Sequence, residues 1–328
     1  MQDSPDTTLV YILSASHSGS TLTAMMLNAH PDICTAGELK ATNLGSVSEY
    51  RCSCRELIVD CDFWTGVAAE MGRRGWRYDV TDAKTSFAHI GGGYVQRLLR
   101  PLHRGSLLEA VRDSALSMSS DWRREIERWR GRNKALVESI GKLTGARYVV
   151  DSSKIGIRLK YLLSINELRV KVIRLVRDGR GVALTYMNPS AFADASDPAL
   201  RGGGTGRNTD DSLGMLEAAT EWLRSNQEAE QVLKYVAPAD WIQVSYESLC
   251  LDTASTMARI HDFLGVPRDD SYRQFRAASH HVVGNGMRLD EDSVVALDER
   301  WRDELSRQDL NDFDRVAGAL NRHLGYTG

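Results

Sequence analysis

The 328-residue sequence has no run of apolar residues long enough to cross a membrane or to form a secretory leader. It starts acidic, MQDSPDTTLVYILSAS, and the apolar stretch that follows is short. This predicts a soluble, cytoplasmic protein with no membrane span. An excess of basic charge is also lacking: 41 Lys and Arg stand against 44 Asp and Glu, a formal net charge of −3. No overall field draws in nucleic acid or an anionic surface, so any anion site has to be built locally. Cysteines are few and odd in number (Cys34, Cys52, Cys54, Cys61 and Cys250), which argues against a disulfide framework. Their one cluster is Cys52-Ser53-Cys54 with Cys61 seven residues on. Three thiolates plus a fourth ligand can hold zinc, but this spacing is not a standard zinc pattern, and a local disulfide or three reduced structural thiols are the alternatives. Reduced thiols are the reading preferred, and no metal is expected. No internal repeat is present, and the residues carry no signal of oligomeric state.

What the sequence does contain is organised around Thr8 to Glu38. Thr8–Leu13 is rich in apolar, β-branched and aromatic residues, as a buried strand requires. Small residues follow, Ser14-Ala15-Ser16, then His17-Ser18-Gly19-Ser20-Thr21. From there Leu22, Met25, Met26 and Ala29 recur at helical spacing until Pro31 ends the helix. A strand, a tight small-residue loop and a helix aim free N–H groups and the positive end of a helix dipole at one spot, which suits phosphate or sulfate. A nucleoside-triphosphatase loop would need Lys where Ser20 stands, and no Mg²⁺-binding acid is evident beside it.

The series S-x-S-H-S-G-S-T-L, then N-x-H-P and G-E-L, resembles the 5′-phosphosulfate loop of sulfotransferases, especially their bacterial branch. Those enzymes use 3′-phosphoadenosine 5′-phosphosulfate (PAPS). Many relatives carry Lys or Arg where this chain has His17, which leaves the charge at the bridging oxygen open. The C-x-C…C-x-F-W pattern is similar to one in the same branch.

Further along, Arg147-Tyr148-Val149-Val150 reads as a strand delivering a polar turn, Asp151-Ser152-Ser153-Lys154, at the sheet end where ligands bind. Capping of the next helix explains the same residues. Arg169 to Asp178 is another strand, and Arg177 and Thr185, eight apart, fall on one face two turns beyond it. V-R-D-x-R-x-x-x-x-T resembles the family's 3′-phosphate site, with Thr where Ser is common. Trp241–Tyr246 is a fourth strand; Y-E-x-L and F-L-G-V-P resemble the same family and imply Tyr246 near the adenine. Gly284-Asn285-Gly286-Met287-Arg288 resembles its late cofactor-binding loop. His280-His281 has no acid or Cys at helical ligand spacing and so points away from a metal.

Four firm strands, with Ile33–Ala36 as a fifth candidate, each firm one followed by a helix, predict an α/β fold with a mainly parallel sheet. The resemblance implies the P-loop-type sulfotransferase fold in one domain over 1–328, with a variable insertion around 40–145 and a Gly-rich, lid-like loop around 188–208. It implies transfer of a sulfuryl group from PAPS to an acceptor hydroxyl of a sugar, lipid, peptide tyrosine or small metabolite, leaving 3′,5′-ADP. Glu38 would be the base, with His17 as the alternative, and Lys154 a cation at the sulfate or acceptor. His17 to Leu22 (Ser18, Gly19, Ser20 and Thr21 between) would hold the 5′-phosphosulfate, and Arg177 and Thr185 the 3′-phosphate. The competing readings are a P-loop kinase of a small molecule and a nucleotide-binding protein without turnover.

Overall fold

The computed structural model describes residues 7–40, 50–87, 90–100, 105–189, 212–283, 289 and 294–327. Five strands form one sheet: β1 (Thr8–Ser14), β2 (Ile33–Thr35), β3 (Tyr148–Lys154), β4 (Val170–Val176) and β5 (Trp241–Ser245). Their order is β2-β3-β1-β4-β5, and every pairing is parallel. The strands are near-continuous apolar runs because helices cover both faces. On β1, Leu9, Tyr11 and Leu13 point into one core and Val10 and Ile12 into the other.

The second core is closed by α1 (Ser20–Asn28). The first is filled largely by α2 (Asp62–Arg73), α3 (Gly93–Leu98), α4 (Gly105–Ser117) and α5 (Ser120–Thr144). The long α5 begins where Ser119 Oγ accepts from the Trp122 N–H at 3.2 Å and ends at Gly145 in the left-handed region, φ 72°. Its stripe of Trp122, Ile126, Trp129, Leu136 and Ile140 is buried, whereas Leu143 stays 44% exposed. Next come α6 (Gly156–Leu162), α7 (Gly179–Met187) and α8 (Met215–Leu233), whose Trp222 is fully buried beside Phe313 in a third cluster. The helices α9 (Tyr246–Leu251) and α10 (Thr253–Leu264) complete the second face, Gly265 ending α10 at φ 69°.

One expectation changes. The polar residues Asp151 to Lys154 lie within β3 rather than in a turn after it. The terminal segment is three short helices, α11 (Trp301–Glu304), α12 (Arg307–Phe313) and α13 (Ala319–His323), with a wide π turn at Asp314–Gly318 between the last two. Residues 190–208 of the expected lid and the loop Gly284 to Arg288 lie outside the described residues. Among the described residues no helix is long and apolar enough to cross a membrane.

This topology positions the site. From β1 the chain moves out to β2, returns to β3 on one side, and only then places β4 and β5 on the other. The carboxyl end of β1 therefore opens at a switch point, where open parallel sheets bind ligands.

Candidate active site

The loop after β1 turns through two left-handed residues, His17 at φ 60° and Gly19 at φ 85°. Only Gly fits the second position, because a Cβ there would lie 2.7 Å from the Tyr246 ring as well as in the left-handed region. No side chain caps the N-terminus of α1 and no acid sits in its first turn, so its first N–H groups are left for a ligand. Ser14 Oγ and Ser18 Oγ are buried with no hydrogen-bond partner among the described residues. Buried hydroxyls are ordinarily satisfied, and two orphans beside an open helix N-terminus fit an anion that supplies the missing acceptors. The His17 ring meets Tyr186 edge-on at 4.9 Å. Burial, with Lys154 and Arg177 close by, pushes the His17 imidazole down to about 4, against a small opposing effect of Glu38. In this state His17 is neutral at pH 7.

Glu38 lies just beyond β2, on a segment fastened to two neighbours. Its N–H donates to the Val283 carbonyl at 2.9 Å, and Val283 N–H donates to Ala36 at 3.0 Å. On the other side Ser152 N–H donates to the Gly37 carbonyl at 2.9 Å, Leu39 N–H to Asp151 Oδ1 at 3.2 Å and Lys40 N–H to Ser153 Oγ at 3.0 Å. Asp151, fully buried, also pairs with Arg158 through two bonds of 3.1 Å. The polar end of β3 thus carries the Glu38 segment. Lys154, itself left-handed at φ 70°, donates from Nζ to Glu38 Oε1, and Lys40 Nζ lies 3.1 Å from Oε2. Burial raises the Glu38 carboxyl, but the two ammonium groups outweigh it and hold it at about 2.

Across the loop, Arg177 donates to the His17 carbonyl at 2.8 Å and to Asp298 Oδ2 at 3.0 Å, with its guanidinium 4.4 Å over the Tyr246 ring. Burial raises the Asp298 carboxyl, and Arg300 and Arg177 bring it down to about 2. Thr185 donates to the Gly181 carbonyl one turn earlier, at 3.0 Å, while a Cβ on Gly181 would lie 3.3 Å from the Arg177 guanidinium. Tyr246 donates to the Ala296 carbonyl at 3.2 Å and accepts from Asp298 N–H at 3.2 Å. Lys154, Glu38, Arg177 and Tyr246 therefore gather around the loop that carries His17.

Residues 169–270, which carry Arg177, Thr185 and Tyr246, match a family model described as the sulfotransferase family. No curated relative matches the chain. Among solved structures, the sulfotransferase domain of the Synechococcus PCC 7002 olefin synthase superposes with a TM-score of 0.51 at 18% identity, over 99% of this chain and 98% of that one. Sulfotransferase STF9 from Mycobacterium avium gives 0.49 at 12% identity, over 99% and 79%. The family match over 169–270 is to sulfotransferases, and the likeness to the olefin synthase domain is one of fold. The central parallel sheet with flanking helices is the P-loop-type sulfotransferase fold, as the sequence resemblance implied.

Within that sulfotransferase frame several partners were not foreseen. Asp298 holds Arg177 from 121 residues away, and Arg158 and Asp151 brace the segment of Glu38. Long sequence separation hid Asp298, whereas Lys40 stands only two residues after Glu38, and that short spacing is a signal the sequence reading did not use. The structure also brings His281 to Cys52 and Cys61, which helical spacing could not suggest. None of the five cysteines is disulfide-bonded.

Proposed function

We propose that the chain transfers a sulfuryl group from PAPS to an acceptor hydroxyl. The observation that carries this reading is the loop after β1: an uncapped helix N-terminus with the orphaned Ser14 and Ser18 hydroxyls at its mouth, and Lys154 and Arg177 on either side of His17. A 5′-phosphosulfate fits those donors, and Ser20, Thr21 and Leu22 begin the helix that receives it. Arg177 and Thr185 take the 3′-phosphate, for which Arg177 exchanges its Asp298 partner. Tyr246 flanks the adenine, and the resemblance of Gly284 to Arg288 to a cofactor-binding segment adds these residues to the nucleotide's contacts.

In the reaction the acceptor oxygen forms a bond to sulfur while the bond from sulfur to the 5′-phosphate oxygen breaks, and 3′,5′-ADP leaves with that electron pair. Glu38 takes the acceptor proton. Such loose transfers depend on positioning and on neutralising charge at the leaving oxygen. Lys154 is placed to do so: it moves from Glu38 toward the incoming sulfate, which frees the carboxylate as a base. His17, neutral in the free protein, gains a proton more readily beside the bound anion and donates to the bridging oxygen.

The test is a thermal-shift titration with 3′,5′-ADP and, separately, ATP–Mg²⁺, followed by turnover of labelled PAPS. Ligand at 100 times its Kd stabilises by about 2.7 kcal/mol. A shift with 3′,5′-ADP that Arg177→Ala removes is expected. A shift with ATP–Mg²⁺ alone would make the kinase reading correct, and binding of 3′,5′-ADP with no turnover on any hydroxyl acceptor would leave a nucleotide-binding protein.

A further inference from the structure

Away from the β1 loop, four potential metal ligands converge from two distant parts of the chain: Cys52, Cys54 and Cys61 from the segment before α2, and His281 from the segment before residue 284. Their ligand atoms all lie within 4.8 Å of one another. Cys54 Sγ is 3.6 Å from Cys61 Sγ, and His281 Nδ1 is 3.4 Å from Cys61 Sγ and 3.7 Å from Cys52 Sγ. A tetrahedral zinc ion with bonds of about 2.3 Å to sulfur and about 2.0 Å to nitrogen sets its ligand atoms about 3.5–3.8 Å apart. The cysteines are not bonded to one another, and the Cys54–Cys61, His281–Cys61 and His281–Cys52 separations are close to those a metal imposes.

The surroundings fit as well. Cys52 and Cys61 are fully buried. His281 Nε2 lies 3.2 Å from Ser279 Oγ, a contact in which the Nε2–H tautomer would donate to the hydroxyl and turn the Nδ1 lone pair to the sulfurs. The imidazole lies flat on Phe63, 4.6 Å between ring centres and 3° from parallel, so its plane is fixed. A separate bond, Val282 N–H to Ser53 Oγ at 2.8 Å, clamps the two segments beside the cluster.

We propose that Cys52, Cys54, Cys61 and His281 form a structural zinc site. The three cysteines bind as thiolates, their protons leaving to solvent, and His281 binds as the neutral imidazole. Four protein ligands close the coordination sphere, so the ion takes no part in bond making. Its role is positional: it ties the loop before α2 to 279–283, and the Val283 carbonyl holds the N–H of Glu38.

The experiment measures zinc in the full chain expressed with zinc and purified without chelator. About one zinc per chain is expected, falling at least fivefold in Cys61→Ser and in His281→Ala and unchanged in Cys34→Ser, whose cysteine lies on β2 outside the cluster. Because the ligand variants can misfold, the wild type is also stripped with chelator and refilled with Co²⁺ alone. Intense visible bands of tetrahedral cobalt with thiolate charge transfer support the site. Substoichiometric zinc together with a Co²⁺ spectrum lacking those bands would overturn it, as would peptide mapping of a disulfide among Cys52, Cys54 and Cys61.

Discussion

Glu38 is held between two ammonium groups, and that decides how strong a base it is. A carboxyl at about 2 removes a proton weakly, since general bases work best with a pKa near the working pH. If the sulfate draws Lys154 away, the carboxyl in the ternary complex titrates at higher pH than in the free protein. The acid limb of kcat is then expected above the Glu38 contribution to kcat/KM, and coincident limbs would show that Lys154 does not move. Glu38→Gln is expected to lower kcat by about 10²–10⁴-fold while the 3′,5′-ADP thermal shift is retained. His17 makes a second prediction. Its imidazole titrates near 6.5 when unfolded and at about 4 when folded. Between those values the unfolded chain binds more protons, so stability falls as pH drops from 6.5 toward 4. His17→Asn is expected to flatten that loss, by on the order of 2 kcal/mol at pH 4, in denaturation midpoints measured across the window. An unchanged slope would place the acid sensitivity elsewhere.

At the scale of elements, the segment from β2 to Glu38 depends on one glycine. Gly37 has φ 78°, and a Cβ there would lie 2.0 Å from the Val283 carbonyl oxygen. Gly37→Ala adds the left-handed cost of about 1–2 kcal/mol and forces the Val283 strand bridge apart. A lower melting temperature with a disproportionate fall in kcat is expected; a fall in stability alone would mean that Glu38 keeps its place. The glycine's importance was not legible beforehand, although the elements around it were. The ends of α5 could be read from Ser119 and Gly145 because capping is local, and β1 from its composition. The end of β3 was harder, since Asp151, Ser152 and Ser153 are polar yet buried in the strand by contacts with 37–40. Asp298 beneath Arg177 and His281 beside the cysteines depend on tertiary proximity alone, and periodicity carries no information about them. Thr185 could be placed on α7, but its engagement with Gly181 could not.

At the scale of the molecule, the central strand is flanked only by distant sequence. Leu9 pairs with Val149 on one side and Val170 on the other. Non-local pairings of this kind make folding slow, because loops must close before contacts repay them. At synthesis rates of about 5–20 residues per second, the loop after β1 waits roughly 8–32 s for β4 to emerge. Until β3 emerges both edges of β1 are unpaired, and until β4 emerges one of them stays open, the kind of apolar segment that aggregates or recruits a chaperone. Nascent chains arrested before Val170 are therefore expected to be cleaved within Thr8–Ser14 by limited proteolysis, and chains arrested well beyond Val176 to be protected there. The loop that would hold the nucleotide is made well before the strands that become its walls.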